Sequence, residues 1–243
     1  MSRAAVVTGS SGGIGAAICK RLADDGIDVL GVDLNAGDSD GSIGADLATA
    51  DGNRAAVDAA LERFGRLDII VAAAGFQHIA PVPEFPEDRW DALLAVMLSS
   101  PFLLSKYAWS ALTESPEARI VVIASAHGLV ASPFKAGYVA AKHGAVGLVK
   151  VLALEGAEHE IMATAVCPGF VRTPLVEGQL EDQAKAHNTS PERVLEDVVL
   201  APHAVKRLIE PEEVAEVVSF LLGPGGRTFT GVPVSMDMGW TAR

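Results

Sequence analysis

Thr8-Gly9-Ser10-Ser11-Gly12-Gly13-Ile14-Gly15 decides the fold of this chain. An apolar run, Ala4–Thr8, precedes it and reads as a strand. Ile14–Asp25 follows, and its apolar spacing reads as a helix. Glycines in such a link let the backbone turn tightly and let an anion approach the open amides at the positive end of the helix. A glycine-rich turn alone is a weak signal, but placed between a strand and a helix it reads as the pyrophosphate cradle of a dinucleotide-binding unit. The expected cradle residues are Gly9, Ser11, Gly13, Ile14 and Gly15.

Outward from this loop, apolar runs alternate with amphipathic stretches. Asp28–Asp33, Leu67–Ala73, Arg119–Ser125, Met162–Cys167 and Pro233–Asp237 read as strands. Asp51–Phe64, Glu87–Leu112, Ala136–Glu158 and Pro211–Leu222 read as helices. The strands are near-continuous Val, Ile and Ala, as in strands covered on both faces. The alternation predicts an α/β chain: one Rossmann-type, doubly wound parallel sheet of about seven strands with helices on both faces. No linker or repeat interrupts it, so residues 1–243 are expected to form a single domain. Pro174–Leu208 is more polar than its surroundings, and its helical pieces look short. Its place after a strand's carboxyl end favours a substrate lid over a plain surface excursion.

Composition narrows the function. The net charge of −12 disfavours nucleic acid and anionic membranes as partners, and an anionic substrate would need a local cluster of cations. Two isolated cysteines, Cys19 and Cys167, suit a reducing compartment and offer neither a disulfide framework nor a zinc pattern, so no metal is expected. No secretory signal precedes the first strand, and no apolar run looks long enough to span a bilayer. A soluble, cytoplasmic protein is the expectation.

Asp33 closes the second strand, where an acidic side chain can take the adenosine ribose hydroxyls. A carboxylate there repels a 2′-phosphate, and no Arg or Lys stands in the glycine loop or immediately after Asp33 to receive one. NAD is therefore expected rather than NADP. Asp46 and Leu47 end another short segment and either flank the adenine or simply make a turn. Tyr138 and Lys142 are one turn apart on a helix, so they share a face. A phenol is a poor acid–base at neutral pH, and a nearby ammonium would stabilise its phenolate. Ser125 ends the preceding strand, at the rim where such sheets bind ligands, and can orient a substrate oxygen.

With TGSSGGIG at Thr8–Gly15, Ser125, Tyr138-Val139-Ala140-Ala141-Lys142, and Cys167-Pro168-Gly169 followed by Thr173, the chain resembles the short-chain dehydrogenase/reductase family from end to end. The resemblance implies that Tyr138 is the general acid–base. Lys142 then binds the nicotinamide ribose and depresses the tyrosine pKa, and Ser125 completes the catalytic set. It also implies that Ala74, Gly75, Pro168, Gly169, Val171 and Thr173 join the cofactor site.

A narrower resemblance covers roughly residues 70–180. Phe76–Val82, Ile123–Val130, Tyr138–Gly147 and Thr173–Val176 are similar to the bacterial D-3-hydroxybutyrate dehydrogenases. It implies that Gln77, His127, Lys135 and Gln179 hold a substrate carboxylate, with His127 protonated or donating, and that Phe170 and Trp240 flank the substrate's methyl end. Three positions depart from the family pattern. Ala72-Ala73-Ala74-Gly75 stands where Asn-Asn-Ala-Gly is usual. Met97 replaces an asparagine that supports a helix bend and a water relay to the lysine. Phe170 replaces a tryptophan. The expected partner is a small hydroxy acid or ketone, 3-hydroxybutyrate first. Another secondary alcohol, a polyol or a ketoacyl substrate remains open, as does a weakly catalytic NAD(H)-binding sensor. The resemblance also implies a homotetramer packed through Glu87–Leu112 and Ala136–Glu158. The small residues Ala140, Ala141, Gly144 and Gly147 then face either a partner or the sheet.

Overall fold

Seven short runs rich in Val, Ile and Ala build one parallel sheet. They are β1 (Ala4–Thr8), β2 (Asp28–Asp33), β3 (Ser42–Gly44), β4 (Ile69–Ala72), β5 (Arg119–Ile123), β6 (Met162–Pro168) and β7 (Pro233–Met236), in the order β3-β2-β1-β4-β5-β6-β7. The computed structural model describes residues 2–36, 41–186 and 189–242, without the side chains of residues 179, 181–183, 185 and 186. The helices are α1 (Gly13–Asp24), α2 (Ala50–Phe64), α3 (Glu87–Leu94), α4 (Ser100–Glu114), α5 (Ala136–Gly156), α6 (Pro174–Ala186), α7 (Pro191–Val194) and α8 (Pro211–Leu222).

Alternate residues of the strands point to opposite faces, and each face has its own apolar cover. Val6, Ile70, Ile120 and Val122 pack with Val57 and Ala60 of α2, Leu104 and Leu112 of α4, and Val149 and Leu152 of α5. Ala5, Val7, Ile69, Val71 and Val121 pack with Ile18 and Leu22 of α1 and with Val214, Val218 and Leu221 of α8. Burying one such Leu or Ile stabilises the fold by about 1.5–3 kcal/mol. Register is pinned at the opposite end of the sheet from the site. There the carboxylate of Asp68, 1% exposed, accepts from the Ala4 amide, Ser115 Oγ and both arms of Arg66.

Four sequence expectations need adjustment. β3 was not legible as a strand: Ser-Ile-Gly carries little propensity, and it is held by pairing with β2. Glu87–Leu112 lies in one continuous helical run to Glu114, but a π turn at Ala95–Ser99 divides it into α3 and α4. Pro101 lies just beyond that turn. Its ring displaces the carbonyl four residues back, at Met97, and the widened turn absorbs the clash. Pro174–Leu208 contains a helix of 13 residues, α6, and an apolar cluster of Leu180, Val194, Val199, Leu200 and Leu208, so its helical pieces are not all short. Residues 87–114 and 136–159 do form helices long and apolar enough to cross a membrane by length and composition. In this fold α4 and α5 instead lay their apolar stripes on β4, β5 and β6. On α5, a Cβ at Gly144 would come within 2.8 Å of Leu98, so that glycine serves the packing on the π turn, whereas a Cβ at Gly147 would meet no other described part of the chain within 4 Å.

Candidate active site

The carboxyl ends of β1, β2, β4, β5 and β6 open onto one cavity of about 500 Å³. Its position follows from the sheet order: β1 and β4 are neighbours although their connections leave in opposite directions, and such a switch point leaves a crevice. At one end lies the glycine loop. Gly9 and Gly13 adopt φ of +70° and +52°, and a Cβ at Gly15 would stand 2.0 Å from the Gly9 carbonyl oxygen. Only glycines allow this close turn. Gly12 caps α1 without any side-chain cap, and no acidic residue occupies the first turn. The first amides of α1 are thus left open to an anion.

Gly9, Gly13, Ile14, Gly15, Asp33, Asp46, Leu47, Ala74, Gly75, Pro168, Gly169, Val171 and Thr173, all expected at the cofactor end, line the cavity. Ser11 is outside the lining; its amide instead donates to Asp33 Oδ2 at 3.2 Å and so ties the loop to the end of β2. Asp46 lines the cavity, and its Oδ1 also accepts the Ala48 amide at 2.9 Å as a turn aspartate does. The Ala72–Gly75 stretch is held without side-chain amides. Thr8 Oγ1 accepts the amides of Ala73 and Ala74, both at 3.0 Å, so β1 itself fastens the loop after β4.

Ser125, Tyr138 and Lys142 meet in the middle of the cavity. Ser125 leaves β5 in extended geometry, and its Oγ accepts the His127 amide at 3.1 Å, which leaves its proton free to donate. The Lys142 ammonium lies 5.6 Å from the centre of the Tyr138 ring and donates to the Ile123 carbonyl at 2.7 Å. Burial pushes the Lys142 amine down to about 8, and Cys167 acts weakly against this. The expected lowering of the tyrosine is not the dominant effect in this geometry. Burial raises the Tyr138 phenol, and it is the Ser125 hydroxyl that pulls it back. Met97 fills the floor: its Sδ would lie 3.1 Å from a Cβ on Gly75, with Lys142 Nζ 3.9 Å from the same point. A thioether at that place packs well but relays no proton.

At the far end, Gln77, His127, Lys135, Phe170 and Trp240 all line the cavity. Gln179 is on α6, but its side chain lies outside the described residues. Among the described residues the buried Gln77 Oε1 has no hydrogen-bond partner, so this oxygen has capacity to accept from a ligand. Lys135 is 8% exposed, and its ammonium sits 5.1 Å over the Phe170 ring. Burial lowers its amine to about 8. The expectation of a protonated His127 needs correction: burial, with Lys135 and His143 adding to it, pushes the imidazole down to about 3, so the ring is neutral. Its Nε2 is 2.9 Å from Ser132 Oγ. The donor role is left to whichever tautomer that serine selects. Ser132, beside His127, and the wall residues Phe76 and Val96 were missed as site residues, and only the proximity of Ser132 to His127 in sequence could have suggested that one.

The model of the short chain dehydrogenase family matches residues 3–184. The chain is 41% identical to a D-beta-hydroxybutyrate dehydrogenase of Rhizobium meliloti, with 100% of both chains covered. It is 38% identical to a D-beta-hydroxybutyrate dehydrogenase of Cupriavidus necator over 99% of this chain and 98% of that one. Its structure superposes on the ligand-free aldohexose dehydrogenase of Thermoplasma acidophilum with a TM-score of 0.92, at 28% identity, covering 100% of this chain and 95% of that one. A parallel seven-stranded sheet, an uncapped glycine turn and a Ser–Tyr–Lys set on one cavity thus coincide with a match over most of the sequence, and the chain belongs to the short-chain dehydrogenase family of oxidoreductases.

Proposed function

We propose that the protein interconverts a small 3-hydroxy acid, 3-hydroxybutyrate in the first place, with its 3-keto form, using NAD. The observation that carries this reading is the meeting of Ser125, Tyr138 and Lys142 with Lys135, His127 and Gln77 in one cavity whose far wall is Phe170 and Trp240. The buried Lys135 amine gives this acidic protein a place suited to a carboxylate, the Gln77 amide oxygen can accept from a substrate hydroxyl, and the two aromatic rings suit a short alkyl end. The whole-length similarity to two D-beta-hydroxybutyrate dehydrogenases supports the same substrate.

The cavity fits a dinucleotide. The uncapped start of α1 and the Gly9–Gly15 close approach would hold the pyrophosphate, and Asp33 would take the ribose hydroxyls. Among the described residues the lining cations are Lys142, in the middle of the cavity, and Lys135, at its far end, and this favours NAD over NADP. When bound, NAD supplies the hydride acceptor, and NADH the donor. Tyr138 takes the substrate hydroxyl proton at its phenolic oxygen and returns it in the reverse direction. Ser125, its oxygen already accepting the His127 amide, donates to the substrate oxygen and fixes its position. Lys142, anchored on the Ile123 carbonyl, supports the phenolate by charge. Pro174, Leu175 and Val176 at the start of α6 line the cavity, a placement that supports a lid role for this segment. Exposed Phe102 on α4 and Val151 and Leu154 on α5 support a homotetramer through these helices, which light scattering would measure.

A coupled absorbance screen at 340 nm with short 3-hydroxy acids, polyols and neutral secondary alcohols, each with NAD and NADP, tests the assignment. The highest kcat/KM is expected for 3-hydroxybutyrate with NAD. A neutral alcohol or polyol ranking above every acid would overturn the substrate, and a preference for NADP would overturn the cofactor.

A further inference from the structure

His203 lies in the excursion between α7 and α8 and does not line the cavity, yet it touches the wall that does. It is 1% exposed. Its ring centre is 5.9 Å from that of Phe170 and 5.5 Å from that of Trp240, while those two rings stack on one another at 5.5 Å with planes 16° apart. The three rings form one closed triangle. Among the described residues neither nitrogen of His203 has a well-formed hydrogen bond; the Val199 backbone is its nearest polar partner, and burial lowers the pKa of the ring.

The placement of this ring is enforced from both sides. A Cβ at Gly169 would come 3.2 Å from His203 Nε2, and a Cβ at Gly239 would come 2.8 Å from Ala204 Cβ. The dipeptide His203-Ala204 is thus clamped between two glycines, one in the loop after β6 and one in the turn after β7. Backbone bonds close the clamp: the amides of Ala204 and Val205 both donate to the Met238 carbonyl, and the Trp240 amide donates to the Asp237 carbonyl. Lys206 Nζ then ties off the carbonyls of Leu200 and Ala201. A buried imidazole so poorly paired is costly, and its packing against the wall is a compensating role. The only ring contacts described for it are with the two wall residues.

We propose that His203 is a positioning residue that sets substrate length: wedged behind Phe170 and Trp240, it keeps the wall from swinging outward and so fixes how long an alkyl end the cavity admits. The inference rests on the proposed hydroxy-acid reading for its substrates but not for its geometry. The wedge is the ring's shape, so a phenyl ring should replace it, whereas a small side chain should not.

The test compares His203→Ala, His203→Phe and His203→Gln on 3-hydroxybutyrate, 3-hydroxyvalerate and 3-hydroxyhexanoate. The parent should prefer the four-carbon over the six-carbon acid by at least about tenfold in kcat/KM, the discrimination a methylene-sized fit provides. In His203→Ala that ratio should collapse to within about threefold, through KM for the longer acid, with KM for NAD unmoved. His203→Phe should keep the parent ratio. An unchanged ratio in His203→Ala overturns the proposal, as does retention in His203→Gln with loss in His203→Phe, which would make the nitrogens the active part. A readout without substrate runs alongside: acrylamide quenching of Trp240 fluorescence with Trp90 and Trp109 both replaced by Phe. Quenching should rise at least about twofold in His203→Ala, where a ring-sized void opens, and stay at the parent level in His203→Phe. If the parent oxidises none of the three acids, the substrate reading fails and the quenching alone decides the wedge.

Discussion

Replacing Lys135 with Met removes a charge while keeping most of the side-chain volume, and the structure fixes what that should do. The amine is 8% exposed and faces the Phe170 ring at 5.1 Å, so little water competes for it. A charge-assisted hydrogen bond to a carboxylate contributes about 1.5–3 kcal/mol, or about 10- to 150-fold in affinity. A bare Coulomb term of about 4 kcal/mol at 4 Å and an effective dielectric of 20 is the upper bound. Lys135→Met should therefore raise KM for 3-hydroxybutyrate by about 10- to 150-fold and leave KM for NAD within about twofold. The pH dependence gives an independent sign. Burial places the unliganded amine at about 8. A bound carboxylate favours the ammonium and raises that value in the complex, so binding takes the protonated form and is lost as pH rises through 8. Between pH 7 and pH 9 Lys135 should add about a tenfold climb to the parent KM, a climb that the Met variant lacks. Initial rates of NADH formation across that window measure both. Lys142, with an amine also lowered to about 8, affects the parent and the variant alike and cancels in the comparison. A variant KM within twofold of the parent at pH 7, or a parent KM that stays flat to pH 9, would refute the carboxylate role of Lys135.

Tyr138→Phe should cut turnover by about a hundred- to ten-thousand-fold while NADH binding, read by fluorescence titration, is retained; retained turnover would remove the phenol from the chemistry. Asp33→Ala should weaken NAD about tenfold and narrow the preference over NADP, because the carboxylate is lost both to ribose and to the Ser11 amide it now holds; KM values for the two cofactors measure this. Asp68→Ala should cost about 2–4 kcal/mol in a urea or thermal melt, since it orphans the Ala4 amide, Ser115 and the half-exposed Arg66 together. Burial alone would raise the Asp68 carboxyl, but its hydrogen bonds with Arg66, Ser115 and Ala4 outweigh this and lower it. Its contribution is then complete above the unfolded value of 3.8 and lost as pH falls below it, which melts at pH 3 and pH 6 would separate.

The sequence was most informative where one physical requirement dominates. Gly15 must be glycine because its neighbour's carbonyl is 2.0 Å from where a Cβ would be, and such a demand is written directly in the residue type. The same holds for Tyr138 and Lys142, whose spacing becomes a shared face as soon as a helix forms. Boundaries set by tertiary contact were less visible. β3 exists because β2 offers an open edge, and the break at Ala95–Ser99 depends on Pro101 acting back across a turn. The balance of ionisation was not legible at all. His127 and Tyr138 both answer chiefly to burial, and burial is a property of the folded neighbourhood rather than of the local pattern. His203 went unnoticed for a related reason: nothing near it in sequence announces that Gly169 and Gly239 will enclose it.

The neighbouring of β1 and β4 at the centre of the sheet has a thermodynamic consequence. The groups that would grip one dinucleotide come from residues 9–15 and 33 on one side and from residues 74–75, 138–142 and 168–173 on the other, so neither flank of the sheet holds a complete grip alone. A ligand that binds there acts as a bolt through both flanks. Saturating it to about a hundred times its dissociation constant would add about 2.7 kcal/mol to the unfolding free energy of everything it joins, and the shift in melting temperature should appear in one cooperative step rather than on one flank first.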